Sequence, residues 1–462
     1  MYQLRDYQEE LIQKVRTSMS KGNKSIIVQS PPRTGKTVTM AEIARLTTRK
    51  GNRCLFLVHR KEIINQAMNT FEIQKCDMNL VDFMMIQTAY RRVERLPHYD
   101  VIFVDEAHHA LAKTYQTVLT AYPNAIQLLF TATPIRTGKK QLDMIADDIV
   151  LGKSIQQLTD EGNLAPFKYY SIDYVDKLKL KKSSTGDYTA DSMEESMSRK
   201  IYGDVVKHYR KYANGMQAVL YCYSIESAKE FADIFNNEGI SAVEVDGTTP
   251  DNERDEYVEQ FRNGEIKIMT NVNLFTEGID LPNVDCVIMV RPTASLSLYL
   301  QFAMRCLNPR EGKEAVIIDH VGNWQRFGLP NEDRNWRDSI ISGEEGTKKK
   351  RNKEDDEIKA RQCPTCTQVI PVSDIIDNRC PYCGSSLSEE KETEFEEVDL
   401  IEIESQKRMN LFKELQQDEL KLSVASKSPK ELRTYEELKA YAEVNNYKPG
   451  WVYYQAKMKG LM

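Results

Sequence analysis

The sequence predicts an α/β protein: two parallel-sheet blocks in tandem, followed by a metal-binding module and a helical tail. Three observations carry this. Residues 1–150 alternate short apolar runs with helix-spaced segments, residues 201–342 repeat the alternation, and four of the nine cysteines form two close pairs between residues 363 and 383. Strands that are apolar throughout and separated by helices belong in parallel sheets covered on both faces. A chain of 462 residues has room for about three domains of ordinary size.

In the first block, 1–150, the strand candidates are Ser25–Gln29, Cys54–Val58, Val101–Asp105 and Gln127–Thr131, each β-rich and followed by a polar turn. Val38–Arg49 and Lys61–Phe71 have helical spacing. Residues 151–200 read as a linker or exposed insertion, most clearly in Asp176–Arg199 with its polar run Ser183-Ser184-Thr185-Gly186-Asp187. The second block, 201–342, has strand candidates Ala218–Cys222, Ser241–Val245, Lys267–Thr270, Asp285–Val290 and Ala315–Ile318, and a helix over Ser227–Asn236. Residues 343–361 form a charged linker in which Lys348–Arg351 precedes Glu354–Glu357. The cysteine module spans 362–388, and 389–462 hold an acidic segment and a helical tail.

Composition excludes several classes. With 41% hydrophobic and 29% charged residues, the chain can bury ordinary cores and does not read as disordered. No run approaches the ~18 apolar residues of a membrane span. Met1–Asp6 lacks the apolar core of a signal peptide, so the expected location is the cytoplasm, with no membrane partner. The net charge is -6, yet residues 1–150 carry 21 Lys/Arg against 15 Asp/Glu, a surplus of 6. Much of the acidity lies in Glu389–Glu404, with nine acids and one lysine. A detached acidic segment does not cancel a basic block, so a nucleic-acid partner stays open. Cys54, Cys76, Cys222, Cys286 and Cys306 are scattered, mostly in apolar surroundings, as reduced core thiols are.

Ser30-Pro31-Pro32-Arg33-Thr34-Gly35-Lys36-Thr37 follows a strand and opens a helix. Amides at a helix N-terminus point at an anion there, and Lys36 can reach the β- and γ-phosphates of a nucleotide. Thr37 would hold Mg²⁺ through its hydroxyl. Val101–Val104 is an apolar strand ending in Asp105-Glu106-Ala107-His108. A carboxylate at the end of a neighbouring parallel strand can complete the Mg²⁺ shell, here Asp105. Glu106 beside it can orient or deprotonate an attacking water. Farther on, Cys363-Pro364-Thr365-Cys366 and Cys380-Pro381-Tyr382-Cys383 have the spacing of a tetrahedral four-cysteine zinc site. Four thiolates leave no open position, so that zinc is structural.

The order of these motifs resembles superfamily 2 helicases and translocases, of the DEAH form, over about residues 1–325. Leu4-Arg5-Asp6-Tyr7-Gln8 resembles the adenine-reading motif, with Gln8 as reader. Leu57-Val58-His59-Arg60 and Gln87-Thr88 resemble strand-contacting motifs. Thr131-Ala132-Thr133-Pro134 matches the motif that couples ATP state to nucleic-acid grip. Thr270 and Thr276-Glu277-Gly278-Ile279-Asp280-Leu281-Pro282 match motif V, and Gln301-Phe302-Ala303-Met304-Arg305 occupies motif VI. Asp319-His320-Val321-Gly322-Asn323, Gly328-Leu329-Pro330 and the paired cysteines look like the RadD-like DNA-repair and phage helicase branch.

The resemblance implies two RecA-like domains with ATP in the cleft between them. The loop Ser30–Thr37, Gln8, Asp105, Gly278, Asp280 and Gln301 would face the nucleotide, and His59, Arg60, Thr88, Thr131, Thr133 and Thr270 would contact or couple to nucleic acid. Two departures from the family stand out. Arg33 replaces a glycine common among relatives, and motif VI has Met304 and Asn308 for its glycine and last arginine. Arg305 is then the expected arginine finger, with Arg310 as its substitute partner. The expected function is an ATP-dependent DNA helicase or translocase acting on single-stranded, forked or branched DNA in replication, recombination or repair. Its rivals are an ATP-dependent DNA clamp with weak hydrolysis and no unwinding, and an RNA helicase. Repair or replication proteins would meet the C-terminal region. There, Trp451, Tyr453 and Tyr454 among Lys448, Lys457 and Lys459 suit either base stacking or a packed helix face.

Overall fold

The structure is a computed structural model that describes residues 1–59, 61–134, 142–172, 175, 177–183, 186–197, 200–272, 281, 283–337 and 360–387, and toward the C-terminus 424, 427, 429, 432, 434–445, 447 and 449–459. The first sheet holds β1 (Ser25–Gln29), β2 (Cys54–Val58), β3 (Val81–Met85), β4 (Val101–Val104), β5 (Ile126–Thr131) and β6 (Asp148–Leu151). All are parallel, in the order β3-β2-β4-β5-β1-β6. Alternate side chains enter separate cores. Val28, Phe56, Phe103 and Phe130 pack on one face, and Ile27, Leu57, Val104 and Leu129 on the other. Burial on both faces is why these strands read as unbroken apolar runs.

The second sheet repeats the plan with β7 (Phe167–Ser171), β8 (Ala218–Tyr221), β9 (Ala242–Val245), β10 (Ile268–Asn271), β11 (Cys286–Met289) and β12 (Ala315–Asp319). These are again parallel, in the order β7-β12-β11-β8-β10-β9. Sequence patterning misses β3, β6 and β7, and all three are sheet edges. An edge strand is covered less completely, so Asp82, Asp148 and Lys168 are tolerated within them and break the apolar run. Residues 151–200 contain β7 and two helices, Ile155–Asp160 and Ala190–Ser196. In the same stretch, Asp187 accepts hydrogen bonds from Thr293 Oγ1 (2.9 Å) and Ala294 N (2.7 Å) and pairs with Arg291 at 3.1 Å. That polar stretch is fastened to the end of β11.

The cysteine module forms a two-stranded antiparallel sheet, β13 (Ala360–Gln362) and β14 (Val369–Pro371). It docks on β7: Tyr170 bridges antiparallel to Gln368, and Ser171 N donates to Thr367 O at 3.2 Å. Ala360 and Val369 join the apolar cluster beneath the second sheet.

Residues 389–462 form a separate compact unit. Its helices Tyr435–Val444 and Pro449–Met458 share a core of Leu438, Tyr441, Val452 and Ala456. Thr434 caps the first helix reciprocally with Glu437. Trp451 lies parallel to Tyr447 at 4.7 Å, so it is a packing residue, whereas Tyr453 and Tyr454 are exposed. The runs 348–351, 354–357 and 389–404 lie outside the described residues. Among the described residues no helix is long and apolar enough to cross a membrane.

Candidate active site

The site begins where β1 ends. Its apolar run gives way to the loop Ser30–Gly35, and helix Lys36–Thr48 starts at once. Hydroxyls close the loop: Ser30 Oγ and Thr34 Oγ1 are 2.7 Å apart, and Thr34 donates to Pro31 O at 2.7 Å. Ser30 thus contributes a bond that glycine could not. Arg33 and Gly35 are both left-handed, with φ of 65° and 71°. For arginine that conformation costs roughly 1–2 kcal/mol. A Cβ on Gly35 would lie 2.7 Å from Gln8 Nε2, which donates to the carbonyls of Thr34 (3.0 Å) and Gly35 (3.3 Å). Tyr7 Oη donates to the same Thr34 carbonyl at 2.9 Å. Gln8 is therefore buried against the loop, with Pro31 and Pro32 on the loop's far side lining a small crevice with Leu300 of the second sheet's domain.

Asp105 and Glu106 follow β4, one strand removed from β1 at the same sheet edge. Glu106 is also left-handed, φ 48°, and its amide donates to Asp105 Oδ1 at 2.9 Å. Strained backbone of this kind concentrates at functional sites. Lys36 Nζ donates to Glu106 Oε1 at 3.0 Å, and His108 Nδ1 lies 3.4 Å from Oε2. Burial works against ionisation of Glu106, but Lys36 and His108 outweigh it and hold the carboxyl well below the usual carboxylate range. The Thr37 hydroxyl and the Asp105 carboxylate are hard oxygen donors, which fit Mg²⁺.

Between β1 and β4 lies β5, and its end is tied to the loop. Ser30 N donates to Thr131 O at 3.0 Å, and Gln29 Nε2 to Ala132 O at 3.1 Å. Thr131 Oγ1 donates to Thr133 O at 3.0 Å, and both threonines are buried. Beyond Glu106 runs a column of imidazoles: His108 packs on His109 with ring centroids 4.2 Å apart, and His109 on His59 at 4.7 Å. Thr88 is half-buried in helix Ile86–Arg92, next to exposed Gln87.

From the second sheet, helix Leu296–Ala303 supplies buried Gln301, and the turn Met304–Cys306 supplies buried Arg305. Arg305 is hydrogen-bonded to Tyr221, the last residue of β8. Burial pushes the Tyr221 phenol up, while Arg305 and the charge of Arg33 pull against that rise. One phenol therefore feels an arginine from each sheet. Arg310 has another partner, Asp285, at 2.6 Å. Thr270 is fully buried and donates to Ala228 O at 2.7 Å, so it fastens a helix to β10 in this conformation. Arg60, Gly278 and Asp280 lie outside the described residues.

Sequence reasoning gave no role to Tyr7, His108, His109 or Tyr221. The first two lie inside motifs already singled out, and only Tyr221 has no local signal.

The four cysteines converge, with all four sulfurs within 4.8 Å of one another. Cys363 and Cys383 Sγ are 3.6 Å apart, and Cys366 and Cys380 Sγ 3.8 Å. Four sulfurs about 2.3 Å from a tetrahedral zinc stand ~3.8 Å apart, so the set fits zinc and is too open for disulfides. The Ser385 hydroxyl draws the Cys383 thiol down to about 6, toward the thiolate that a metal needs.

Comparison with known proteins gives a consistent pattern. Residues 174–309 match the helicase conserved C-terminal domain, and residues 1–82 and 73–136 match the res subunit of type III restriction enzymes. A 51.5 kDa protein of Lactococcus phage (isolate 7-9) is 41% identical over 385 residues, which cover 82% of this chain and 83% of the phage protein. The protein IRC3 of Saccharomyces cerevisiae, named for an ATP-dependent helicase, is 31% identical over 69% of this chain, and the match spans about half (51%) of the yeast protein. The fragment structure of an HsdR-type subunit of a type I restriction enzyme from Vibrio vulnificus YJ016 superposes with a TM-score of 0.56, at 22% identity. It covers 72% of this chain and 67% of that one.

Proposed function

Because this chain belongs to the superfamily 2 helicases, we propose that it is a DNA motor in which ATP, hydrolysed between the two sheets, drives movement along a strand or the opening of a fork. The reading rests chiefly on one observation: the Lys36 ammonium and the Glu106 carboxylate are paired at 3.0 Å, just beyond two strands, β1 and β4, that flank β5. In our scheme the two lobes are residues 1–150 and 201–342, and 151–200 joins them while lending β7 to the second. Residues 362–388 form the zinc ribbon.

With no nucleotide, Lys36 and Glu106 neutralise each other. Phosphate entering the loop competes for Lys36, which leaves Glu106 free to orient water or accept its proton. Thr37 and Asp105 would hold Mg²⁺, which when bound neutralises phosphate charge. Gln8, already on the loop's carbonyls, would read adenine. Arg305 would meet the γ-phosphate when the lobes close, and His59, Thr88 and the Thr131–Thr133 turn would carry polymer contact back to the loop. DNA is favoured over RNA because the N-terminal lobe matches a restriction-enzyme subunit, and restriction enzymes act on DNA.

The test is ATP hydrolysis with no polymer, single-stranded DNA, duplex, forked DNA and RNA, paired with strand displacement and with Lys36→Ala as blank. Stimulation by DNA with displacement is expected. Glu106→Gln should bind ATP yet turn over ~10²–10⁴-fold more slowly, the usual contribution of a positioned base. Equal turnover in Glu106→Gln would sink the assignment, and preference for RNA would overturn the choice of DNA.

A further inference from the structure

The zinc ribbon and the second sheet frame an open cavity of about 660 Å³, which shares Glu332 and Asp333 with the crevice beside Pro31 and Pro32. Phe167 and Tyr169 of β7 line it, with Leu329 and, from the ribbon, Val369, Val372 and Tyr382. Its size suits a few side chains of a ligand. Val372 and Tyr382 are 46% and 49% exposed, so its rim offers apolar surface to solvent.

Two further features say what would enter. Three carboxylates, Glu332, Asp333 and Asp374, line the cavity, and none of the described lining residues is Lys or Arg. Lys168 pairs with Glu314 at 2.6 Å, and Arg334, which lines the neighbouring crevice beside Pro31 and Pro32, is turned onto the carbonyls of Phe327, Leu329, Pro330 and Glu332. Independently, Gln368 lines the cavity, is 2% exposed, and has a buried Nε2 with no hydrogen-bond partner. A buried amide donor left unpaired is costly, and an incoming acceptor would relieve that cost.

We propose that this groove docks an extended protein segment carrying an apolar side chain flanked by Lys or Arg, with a main-chain carbonyl received by Gln368 Nε2. The apolar side chain fills the space against Phe167 and Val369, while its cationic neighbours meet Asp333 and Asp374. Nucleic acid is disfavoured, because its phosphates would face the carboxylates. The ribbon is thus a protein-docking element, and this conclusion is independent of the motor's substrate.

The experiment is isothermal titration of the zinc-loaded full chain at about 0.15 M salt with two peptides, Lys-Leu-Lys-Leu-Lys and Glu-Leu-Glu-Leu-Glu. One saturable site is expected for the first peptide and none for the second. Asp374→Asn and Val372→Asp should each weaken binding tenfold or more while zinc content and basal ATP hydrolysis stay at the parent level. Gln368→Leu, if its zinc content is normal, should weaken it as well. Three results would overturn the proposal: no saturable binding, affinity unchanged in the carboxylate variant, or displacement of the bound peptide by a thymidine oligonucleotide.

Discussion

The imidazole of His59 packs on that of His109 at 4.7 Å, and through His108 this contact reaches the Glu106 carboxylate. A residue in a motif resembling strand contact is thereby joined by rings packed at a tilt to the candidate base. We expect His109→Ala to keep basal ATP hydrolysis while losing polymer stimulation. A coupling of ordinary size, about 1–3 kcal/mol, corresponds to a loss of roughly 5- to 150-fold. Hydrolysis rates with and without single-stranded DNA measure it directly.

Arg305→Ala should lower DNA-stimulated turnover by ~10³–10⁵-fold, the range that an arginine on the transferring phosphoryl group supplies. Arg310 is held by Asp285 at 2.6 Å, so Arg310→Ala should cost far less. Comparing kcat of the two variants decides between them.

Glu106 has a depressed pKa, so its ionised form stabilises the folded chain. The sign follows from linkage: this stability is complete above the ordinary value of 4.5 and is lost as pH falls below it toward the folded value. The gap in Tm between parent and Glu106→Gln should therefore narrow between about pH 7 and pH 3.5. A gap that widens toward acid would contradict the assignment of Lys36 and His108 as its partners.

Tyr7 belongs to the apolar cluster of the second sheet, while its hydroxyl holds Thr34 O of the loop. Tyr7→Phe removes that hydrogen bond, worth about 1 kcal/mol, together with a long 3.4 Å one accepted from Arg5 Nη1. An increase of about fivefold in KM for ATP, with kcat little changed, is the expected result in steady-state kinetics.

Zinc should be present at one ion per chain and be released by strong chelators. Structural zinc contributes roughly 10–16 kcal/mol to modules of this kind, so Cys380→Ser should unfold residues 360–387 locally. Hydrogen exchange should show lost protection there while β1, β4 and β5 keep theirs.

Much of this was legible in the chain. The central strands announced themselves because both faces are buried, and Lys36, Asp105 and Glu106 because their positions at strand ends are fixed by local sequence. The edges β3, β6 and β7 were not legible, since polar residues interrupt them. Nor was Tyr221 legible as the partner of Arg305, because that contact depends on how the turn Met304–Cys306 comes back onto β8. Trp451 shows the same limit: its spacing among lysines suits base stacking, and only the fold reveals Tyr447 beneath it. The acceptance of φ 65° at Arg33 is likewise a property of the folded loop.

The bridge between Tyr170 and Gln368 has a consequence for how copies of the protein behave toward each other. Without the ribbon, β7 would offer a row of open amides and carbonyls to any neighbouring strand, and such borders invite self-association. A metal held there would therefore act past its own small module. By keeping one border of the second sheet occupied, four thiolates some distance from the phosphate loop would help determine whether the protein stays dispersed at high concentration.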